Sequence, residues 1–234
     1  MPSLTDYDIT RKWPARHPDR IQLYSLPTPN GVKVSAMLEE TGLPYEAHKV
    51  DIGTGDQKTP EFLSLNPNGK IPAIIDPDGP GGEPLALWES GAILIYLAEK
   101  SGRFLPVDPA EKHEAIQWLM WQMGGLGPMT GQLGFFHKFA GRDYEDRRPF
   151  ERYRDEVRRL LAVLDRRLKG RSYLIGEDYT IADMACWPWA RNINGFYEAG
   201  EVTGYLDFEN VVRWVDACHA RPASRKAINI PPRD

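Results

Sequence analysis

The order of strand-like and helix-like segments in residues 20–102 restricts the fold more than any other feature of this sequence. Alternating residues and short apolar runs predict strands at 20–26, 45–51, 72–75 and 84–88. Helical spacing of apolar residues, with start and stop signals, predicts helices at 32–41, 59–65 and 90–100. The first two strands are joined through a helix, so we expect them to be parallel, whereas the last two form a hairpin.

This β-α-β-α-β-β-α order is typical of a thioredoxin-like domain. After residue 110 the chain is rich in helical patterns, and we predict helices at 111–140, 149–169, 181–197 and 208–220. Pro106 and Pro109 mark the change between the two regions. The predicted fold class is therefore α/β plus all-α. It comprises an N-terminal extension (1–19), a thioredoxin-like domain (20–103), an all-helical domain (110–225) and a tail (226–234).

One helix start is unusually well specified. Thr180 and Asp183 have the spacing of a capping box, and Tyr179 and Met184 are placed for a hydrophobic staple. We interpret this segment as a folding signal for the helix that follows.

Composition excludes several classes of function. The 234 residues carry 29 basic and 33 acidic side chains, and this net charge of −4 gives no general attraction to nucleic acid or to an anionic membrane surface. The two cysteines, Cys186 and Cys218, form no CxxC motif, and the five histidines show no metal-ligand spacing. The charged first twenty residues do not resemble a signal peptide, and the apolar stretch 92–98 is too short to span a bilayer. We therefore expect a cytoplasmic protein without a metal.

Two motifs predict a site for a small peptide. Pro72 ends Asn66-Pro-Asn-Gly-Lys-Ile-Pro72 and begins the third strand, where a cis bond would present the backbone of Ile71 to an extended ligand. Glu89 and Ser90 begin a helix whose free N–H groups favour an anion. Each motif also has a simpler interpretation, since Pro72 could merely end a loop and Ser90 could merely cap a helix.

Three segments together carry a resemblance to a known family: 66–73, 89–97 and 179–183. The sequence resembles the glutathione transferase superfamily, and the segments 27–31, 118–122 and 124–129 are similar to its bacterial nu class. The resemblance implies a homodimer that binds glutathione as co-substrate. It places Ile71 and Pro72 at the cysteinyl backbone, Glu89 and Ser90 at the γ-glutamyl end, and Gln57 and Lys70 near the glycyl end. It also places Arg152 at the ligand, although a surface helix arginine is an equal alternative.

The turn before the first helix determines the expected chemistry. Thioredoxins and glutaredoxins carry a cysteine there, whereas this chain has Thr28-Pro-Asn-Gly31, so the reactive sulfur would arrive on the ligand. Lowering a thiol pKa of about 8.5 by two units requires roughly 2.7 kcal/mol, and a helix dipole supplies only about 0.3–1 kcal/mol. Direct hydrogen bonds must supply the rest. Thr28 and Asn30 are the predicted donors, ahead of Tyr24 and Ser25, although the same turn could serve only as a helix entry.

Three functions follow as hypotheses. The first is a glutathione-dependent disulfide-bond reductase that uses the glutathione thiolate to attack a small disulfide. The second is a glutathione S-transferase that conjugates electrophiles or reduces organic hydroperoxides. The third is a non-catalytic binding or regulatory protein on the same fold. The glycine-rich segment 124–128 is a break in the first long helix and a candidate for the pocket of the second substrate between the two domains, although its glycines could instead serve close helix packing.

Overall fold

A computed structural model describes residues 4–232 of the chain. These residues form two compact units. The first unit contains the described residues up to Gly102 together with those from Pro222 onward, and the second is Arg103–Arg221. The first three residues of the predicted extension and the last two of the predicted tail lie outside the described residues.

A four-stranded sheet organises the first unit. Its strands are β1 (Ile21–Ser25), β2 (Tyr45–Lys49), β3 (Ala73–Asp76) and β4 (Leu85–Trp88), in the spatial order β2-β1-β3-β4. β1 and β2 are parallel, and both β1–β3 and β3–β4 are antiparallel. The predicted parallel pair and the predicted hairpin are therefore confirmed.

A short helix that the sequence patterns did not predict, α1 (Ile9–Lys12), precedes β1. The three predicted helices follow as α2 (Pro29–Thr41), α3 (Pro60–Leu65) and α4 (Ser90–Ser101). Proline occupies the first position of both α2 and α3, where a missing N–H is tolerated. α2 and α4 pack against each other, and every residue of β1 is buried. A strand buried on both faces lies in a sheet that is covered on both sides.

The N-terminal segment contributes to the core of the first unit. Leu4 and Ile9 are buried in one cluster with Tyr24 and Phe62, and Trp13 packs against that cluster. The Trp13 indole also donates to the Lys49 carbonyl at 2.8 Å. Sequence patterns treated residues 1–19 as an appendage, because no strand or long helix marks them as part of the domain.

The second unit is helical throughout. Its helices are α5 (Pro109–Trp121), α6 (Gly127–His137), α7 (Arg148–Leu168), α8 (Ile181–Asn194), α9 (Gly200–Thr203) and α10 (Glu209–Ala220). The helix predicted at 111–140 is interrupted at its glycine-rich break, because a π-helical segment, Gln122–Leu126, separates α5 from α6. Glycines at 124 and 125 and a proline at 128 weaken the regular α-helical pattern at this point.

The chain returns to the first unit at its end. Helix α11 (Pro222–Ala227) packs against α2, and Lys226 Nζ lies 2.7 Å from Glu39 Oε2. Residues 222–225, which the sequence patterns assigned to the helical domain, group with the first unit. A helical pattern shows where a helix forms and does not show which surface it covers.

Candidate functional site

The loop before β3 is shaped by one buried side chain. Asn66 is 2% exposed, its Nδ2 donates to the Lys70 carbonyl at 2.6 Å, and its Oδ1 accepts from the Asn68 amide at 2.9 Å. Gly69 adopts a φ of 62°, which favours glycine, and a Cβ there would lie 2.9 Å from Lys58 Nζ. The Asn-Pro-Asn-Gly motif thus fixes the loop that leads to Ile71.

The Ile71-Pro72 peptide bond is cis, as predicted. Ala73 is the first residue of β3 and pairs with both Tyr24 and Trp88, so Ile71 lies just beyond the paired region. Within residues 4–232, neither the N–H nor the C=O of Ile71 has a hydrogen-bond partner. These two groups are suited to pair with the backbone of an extended peptide.

The start of α4 combines backbone strain with a buried hydroxyl. Glu89 has a φ of 71°, a conformation that non-glycine residues adopt rarely and that is often held at ligand sites. Ser90 follows as the first residue of α4 and is 3% exposed. The first N–H groups of a helix have no partner within the helix, so this end is suited to a carboxylate.

Lys33 is a residue of this region that sequence reasoning missed. It lies on α2, is fully buried, and donates from Nζ to Ser90 Oγ at 3.2 Å. One signal was present in the sequence, since Lys33 stands within a run of small and apolar residues from Gly31 to Leu38 that is buried throughout. Lysine is almost never fully buried unless its charge is matched.

Thr28 is held at the start of α2. It is the N-cap residue, and its hydroxyl oxygen accepts from the Gly31 amide at 3.4 Å. Across the part of the chain that the structure describes, this hydroxyl donates to no acceptor, so its hydrogen remains available for a ligand atom. Asn30 is half-buried in the first turn of the same helix.

Glycine at position 31 allows this turn to approach the end of β1. A Cβ at Gly31 would lie 2.0 Å from the Leu26 carbonyl oxygen and 2.6 Å from Ser25 Oγ. Both distances are far below van der Waals contact, so any larger residue would displace the turn that carries Thr28 and Asn30.

Tyr24 belongs to the core of the first unit. It is fully buried, its ring stacks on His48 with centroids 4.8 Å apart, and it clusters with Phe62. Burial raises the pKa of the Tyr24 hydroxyl far above its usual value, with a smaller contribution from the charge of Glu46. A phenol in this environment is poorly suited to stabilise a thiolate by proton exchange.

Tyr24→Phe is expected to preserve activity. Among residues 4–232 the buried Tyr24 hydroxyl has no hydrogen-bond partner, so its removal should raise the free energy of unfolding by about 1 kcal/mol. Denaturant unfolding and initial-rate assays check both statements. A folded Tyr24→Phe protein without activity would return Tyr24 to the list of catalytic candidates.

The loop between β2 and α3 carries Gln57. It lies in a short 3₁₀ turn, Asp56–Lys58, and its Oε1 is buried without a hydrogen-bond partner in the described chain. Lys12 Nζ contacts Asp56 Oδ1 at 2.6 Å and fixes this turn from the N-terminal segment. Lys70 is exposed at the end of the Asn66 loop.

Arg152 lies in the second unit, on α7. It lines a cleft of about 760 Å³ together with Met129, Arg148, Tyr153, Asp155, Glu156 and Arg159. Arg148 is paired with Asp146 at 2.7 Å and Arg159 with Glu156 at 2.7 Å. In the described ranges Arg152 forms no ion pair, so its guanidinium is the charge in this cleft that can still bind an anion.

Residues 4–232 show neither a metal-binding cluster nor a membrane-spanning helix. No group of three or more His, Cys, Asp or Glu side chains is placed to hold a metal ion. None of the helices in this range is long and apolar enough to cross a membrane.

Comparisons with known proteins place the chain in a family. Residues 28–100 match the glutathione S-transferase N-terminal domain, and residues 128–222 match the glutathione S-transferase C-terminal domain. The protein therefore belongs to the glutathione transferase superfamily. The resemblance read from the sequence is confirmed, and so is the fold of a thioredoxin-like domain followed by a helical domain.

Two similar proteins are from Escherichia coli strain K12. The disulfide-bond oxidoreductase YfcG is 46% identical over 211 residues, which cover 89% of this chain and 94% of YfcG. The disulfide-bond oxidoreductase YghU is 42% identical over 219 residues, which cover 90% of this chain and 74% of YghU.

Two solved structures are also similar over nearly the whole chain. A glutathione transferase from Burkholderia graminis, with two glutathione molecules bound per subunit, has a TM-score of 0.98 and 63% identity, covering 100% of this chain and 98% of that one. A glutathione transferase from Pseudomonas putida, with one glutathione disulfide bound per subunit, has a TM-score of 0.97 and 59% identity. That match covers 98% of this chain and 100% of the other.

Proposed function

We propose that this protein is a glutathione-dependent disulfide-bond reductase that uses the thiolate of bound glutathione in place of a protein cysteine. The observation that carries the proposal is the position of the cysteines. Both of them, Cys186 and Cys218, are fully buried in helices of the second unit, whereas the turn at Thr28 in the first unit offers only hydroxyl, amide and backbone donors. The resemblance to two named disulfide-bond oxidoreductases supports the same reaction.

We assign a group of the first unit to each part of glutathione. The free N–H and C=O of Ile71, next to Pro72, pair with the cysteinyl backbone. Ser90 and the amides at the start of α4 bind the γ-glutamyl carboxylate, and the Glu89 carboxylate binds the γ-glutamyl amino group. Gln57 and Lys70 lie near the glycyl end.

The thiol is activated at the start of α2. The helix dipole contributes about 0.3–1 kcal/mol toward the thiolate, which is less than half of the roughly 2.7 kcal/mol that a two-unit shift requires. A hydrogen bond to a charged atom contributes about 1.5–3 kcal/mol. The Thr28 hydroxyl, with the Asn30 amide, therefore supplies the larger part.

The reaction is two successive thiol–disulfide exchanges. The glutathione thiolate attacks one sulfur of a disulfide, a mixed disulfide forms, and the other sulfur leaves as a thiolate that takes up a proton. A second glutathione thiolate then attacks the mixed disulfide, which yields glutathione disulfide and the second reduced thiol. Arg152 is suited to hold a carboxylate of the second glutathione, and the relative from Burkholderia graminis contains two glutathione molecules per subunit.

A comparison of two substrates tests the reaction type. With glutathione present, we expect kcat/KM for hydroxyethyl disulfide to be higher than kcat/KM for chlorodinitrobenzene. The reverse order would favour the conjugating transferase, which uses the same activated thiolate. If glutathione does not raise the melting temperature of the protein, the protein does not bind glutathione, because a ligand that binds the native state must stabilise that state. This result would support a non-catalytic role.

Removal of both cysteines is expected to leave the reaction intact. Alanine is the appropriate replacement for Cys186 and Cys218, because serine would bury a hydroxyl in each fully buried position. We expect a loss of about 1 kcal/mol of stability per site from the deleted atom, with kcat unchanged. Steady-state assays on the doubly substituted protein measure this, and a large loss of kcat in a folded protein would show that protein sulfur takes part.

The family resemblance also supports a homodimer located in the cytoplasm, and we include both in the proposal. Sedimentation equilibrium at micromolar protein concentration tests whether the protein is a homodimer. A mass equal to one chain at all concentrations would contradict it.

A further inference from the structure

The N-terminal segment is attached to the core of the first unit at Trp13. Its indole donates to the Lys49 carbonyl at 2.8 Å, and its ring meets the rings of Tyr24 and Phe62 edge to face, with centroids 6.1 and 6.3 Å apart. Both of these aromatic partners are fully buried. Trp13 therefore fixes the end of α1, and with it the preceding residue, Lys12, against the core.

Lys12 joins this segment to the loop that carries Gln57. Its Nζ lies 2.6 Å from Asp56 Oδ1, and the two side chains are only 34% and 23% exposed, so the pair is shielded from much of the solvent. Asp56 Oδ2 accepts from the Asp51 amide at 3.0 Å, and the Asp56 amide donates to the Asp51 carbonyl at 3.1 Å. The Asp56 carboxylate thus closes the loop 51–56 and also binds it to the N-terminal segment.

The Gln57 turn lies beside the loop that leads to Ile71. A Cβ at Gly69 would lie 3.1 Å from the Gln57 carbonyl oxygen and 2.9 Å from Lys58 Nζ, so the two loops meet at Gly69. Gln57 is thereby close to the residue that precedes Lys70, the other side chain assigned to the glycyl end of glutathione. The position of the turn therefore determines how these two groups are spaced.

A negative charge next to Gln57 opposes the binding of a carboxylate. Partial burial raises the pKa of Asp56, but the hydrogen bonds from Lys12 and from the Asp51 amide outweigh it and hold that pKa below its ordinary value. Asp56 is therefore ionised at neutral pH, and two carboxylates that lie close together repel each other. The Lys12 ammonium balances this charge, so the ion pair both holds the loop and reduces the repulsion of an anionic ligand.

We propose that Lys12 is a positioning residue for glutathione, which acts through Asp56 on the Gln57 turn to bind the glycyl carboxylate. The inference rests on the proposed function, since it concerns the glycyl end of that site. Lys12 contributes to binding and leaves the thiolate chemistry at Thr28 unchanged. The N-terminal segment thus takes part in the preference for glutathione over thiol peptides that lack the glycyl residue.

The test compares Lys12→Met with wild type on two ligands, glutathione and γ-glutamylcysteine, which lacks the glycyl residue. By calorimetric titration, Lys12→Met should bind glutathione roughly 3- to 10-fold more weakly than wild type, whereas its affinity for γ-glutamylcysteine should be nearly unchanged. Arg11→Met is the matched control, because Arg11 is the neighbouring cation and its ion pair with Asp8, at 3.0 Å, lies within the N-terminal segment. This control should change neither affinity.

Two further variants separate positioning from folding. Lys12→Arg keeps the charge and should retain the affinity of wild type for glutathione. Lys12→Met/Asp56→Asn removes the repelling charge and keeps an oxygen that can accept from the Asp51 amide, so it should bind glutathione more tightly than Lys12→Met alone. Saturating glutathione should restore the kcat of Lys12→Met, so that its loss appears in KM.

The outcomes distinguish the two proposals. An equal loss for glutathione and γ-glutamylcysteine, no loss for either, or a double variant that binds no better than Lys12→Met would overturn the role of Lys12, while glutathione binding by wild type stands. Wild-type protein that binds no glutathione would overturn the proposed function itself.

Discussion

The double variant Thr28→Ala/Asn30→Ala is expected to lose up to about a hundredfold in kcat while it still binds glutathione. A thiol pKa about two units higher lowers the reactive thiolate fraction by up to about a hundredfold at pH values below both pKa values. The contacts assigned to glutathione at Ile71, Glu89 and Ser90 lie elsewhere in the first unit and are unaffected. Calorimetric titration with glutathione measures the retained binding, and steady-state kinetics with hydroxyethyl disulfide measure the loss of kcat.

The pH profile gives a more specific readout of the same variant. Without the two donors, the thiol of bound glutathione should return toward its ordinary pKa of about 8.5. The rise of activity with pH should therefore shift to higher pH by about one to two units relative to wild type. Lost turnover with an unshifted profile would mean that the two residues orient the substrate and do not stabilise the thiolate.

A matched control separates catalysis from helix capping. Thr28 caps α2 and Thr59 caps α3, each followed by proline and each accepting from the amide three residues on. Alanine at either position should cost about 1 kcal/mol of stability. Only Thr28→Ala should lower kcat and shift the pH profile, and Thr28→Ser should retain both. If Thr28→Ala and Thr59→Ala lower kcat equally, the effect of Thr28→Ala would be explained by the loss of helix stability alone.

The parts of the fold that local patterns determine could be predicted from the sequence. The order of strands and helices along the first unit, the cis bond before Pro72 and the capping box at Thr180 each depend on residues close together in the chain, and all three are confirmed. The candidate ligand contacts at Ile71 and at the start of α4 were predicted by the same local reasoning, because a strand end and a helix start expose backbone groups that the element itself does not pair.

The parts that depend on distant contacts could not be predicted in this way. The pairing of Lys33 with Ser90 joins residues 57 positions apart, and a helical pattern alone does not indicate a buried ammonium. The packing of Leu4 and Ile9 under Tyr24, and of α11 on α2, also requires the assembled surfaces. The glycine-rich segment 124–128 indicated a break in the first long helix, but it did not indicate the π-helical form, because glycine within a helix usually lowers stability without changing the helix type.

Asp183→Ala is expected to lower the free energy of unfolding by about 3–5 kcal/mol. The Asp183 carboxylate is fully buried and joins three segments of the second unit. It accepts from the Leu174 amide at 2.9 Å, the Thr180 amide at 3.0 Å and the Trp214 indole at 2.9 Å. Its removal leaves several buried donors unsatisfied, each of which costs about 1–3 kcal/mol. Asp108→Ala is the control, because Asp108 caps α5 at an exposed position and should cost only about 1 kcal/mol.

The pH dependence of this stability loss tests whether the buried Asp183 carboxyl group has a raised pKa. Burial raises the pKa of Asp183 to about 6, although the hydrogen bonds from Leu174, Thr180 and Trp214 oppose the shift. The folded protein then holds a proton here more tightly than the unfolded chain, so this stabilising contribution is complete below the unfolded pKa and is lost as pH rises through 6. The difference in unfolding free energy between wild type and Asp183→Ala should therefore be larger at pH near 5 than near 8 in urea titrations. A difference that grows with pH would mean that the donors outweigh burial and that the carboxylate is held ionised by its hydrogen bonds.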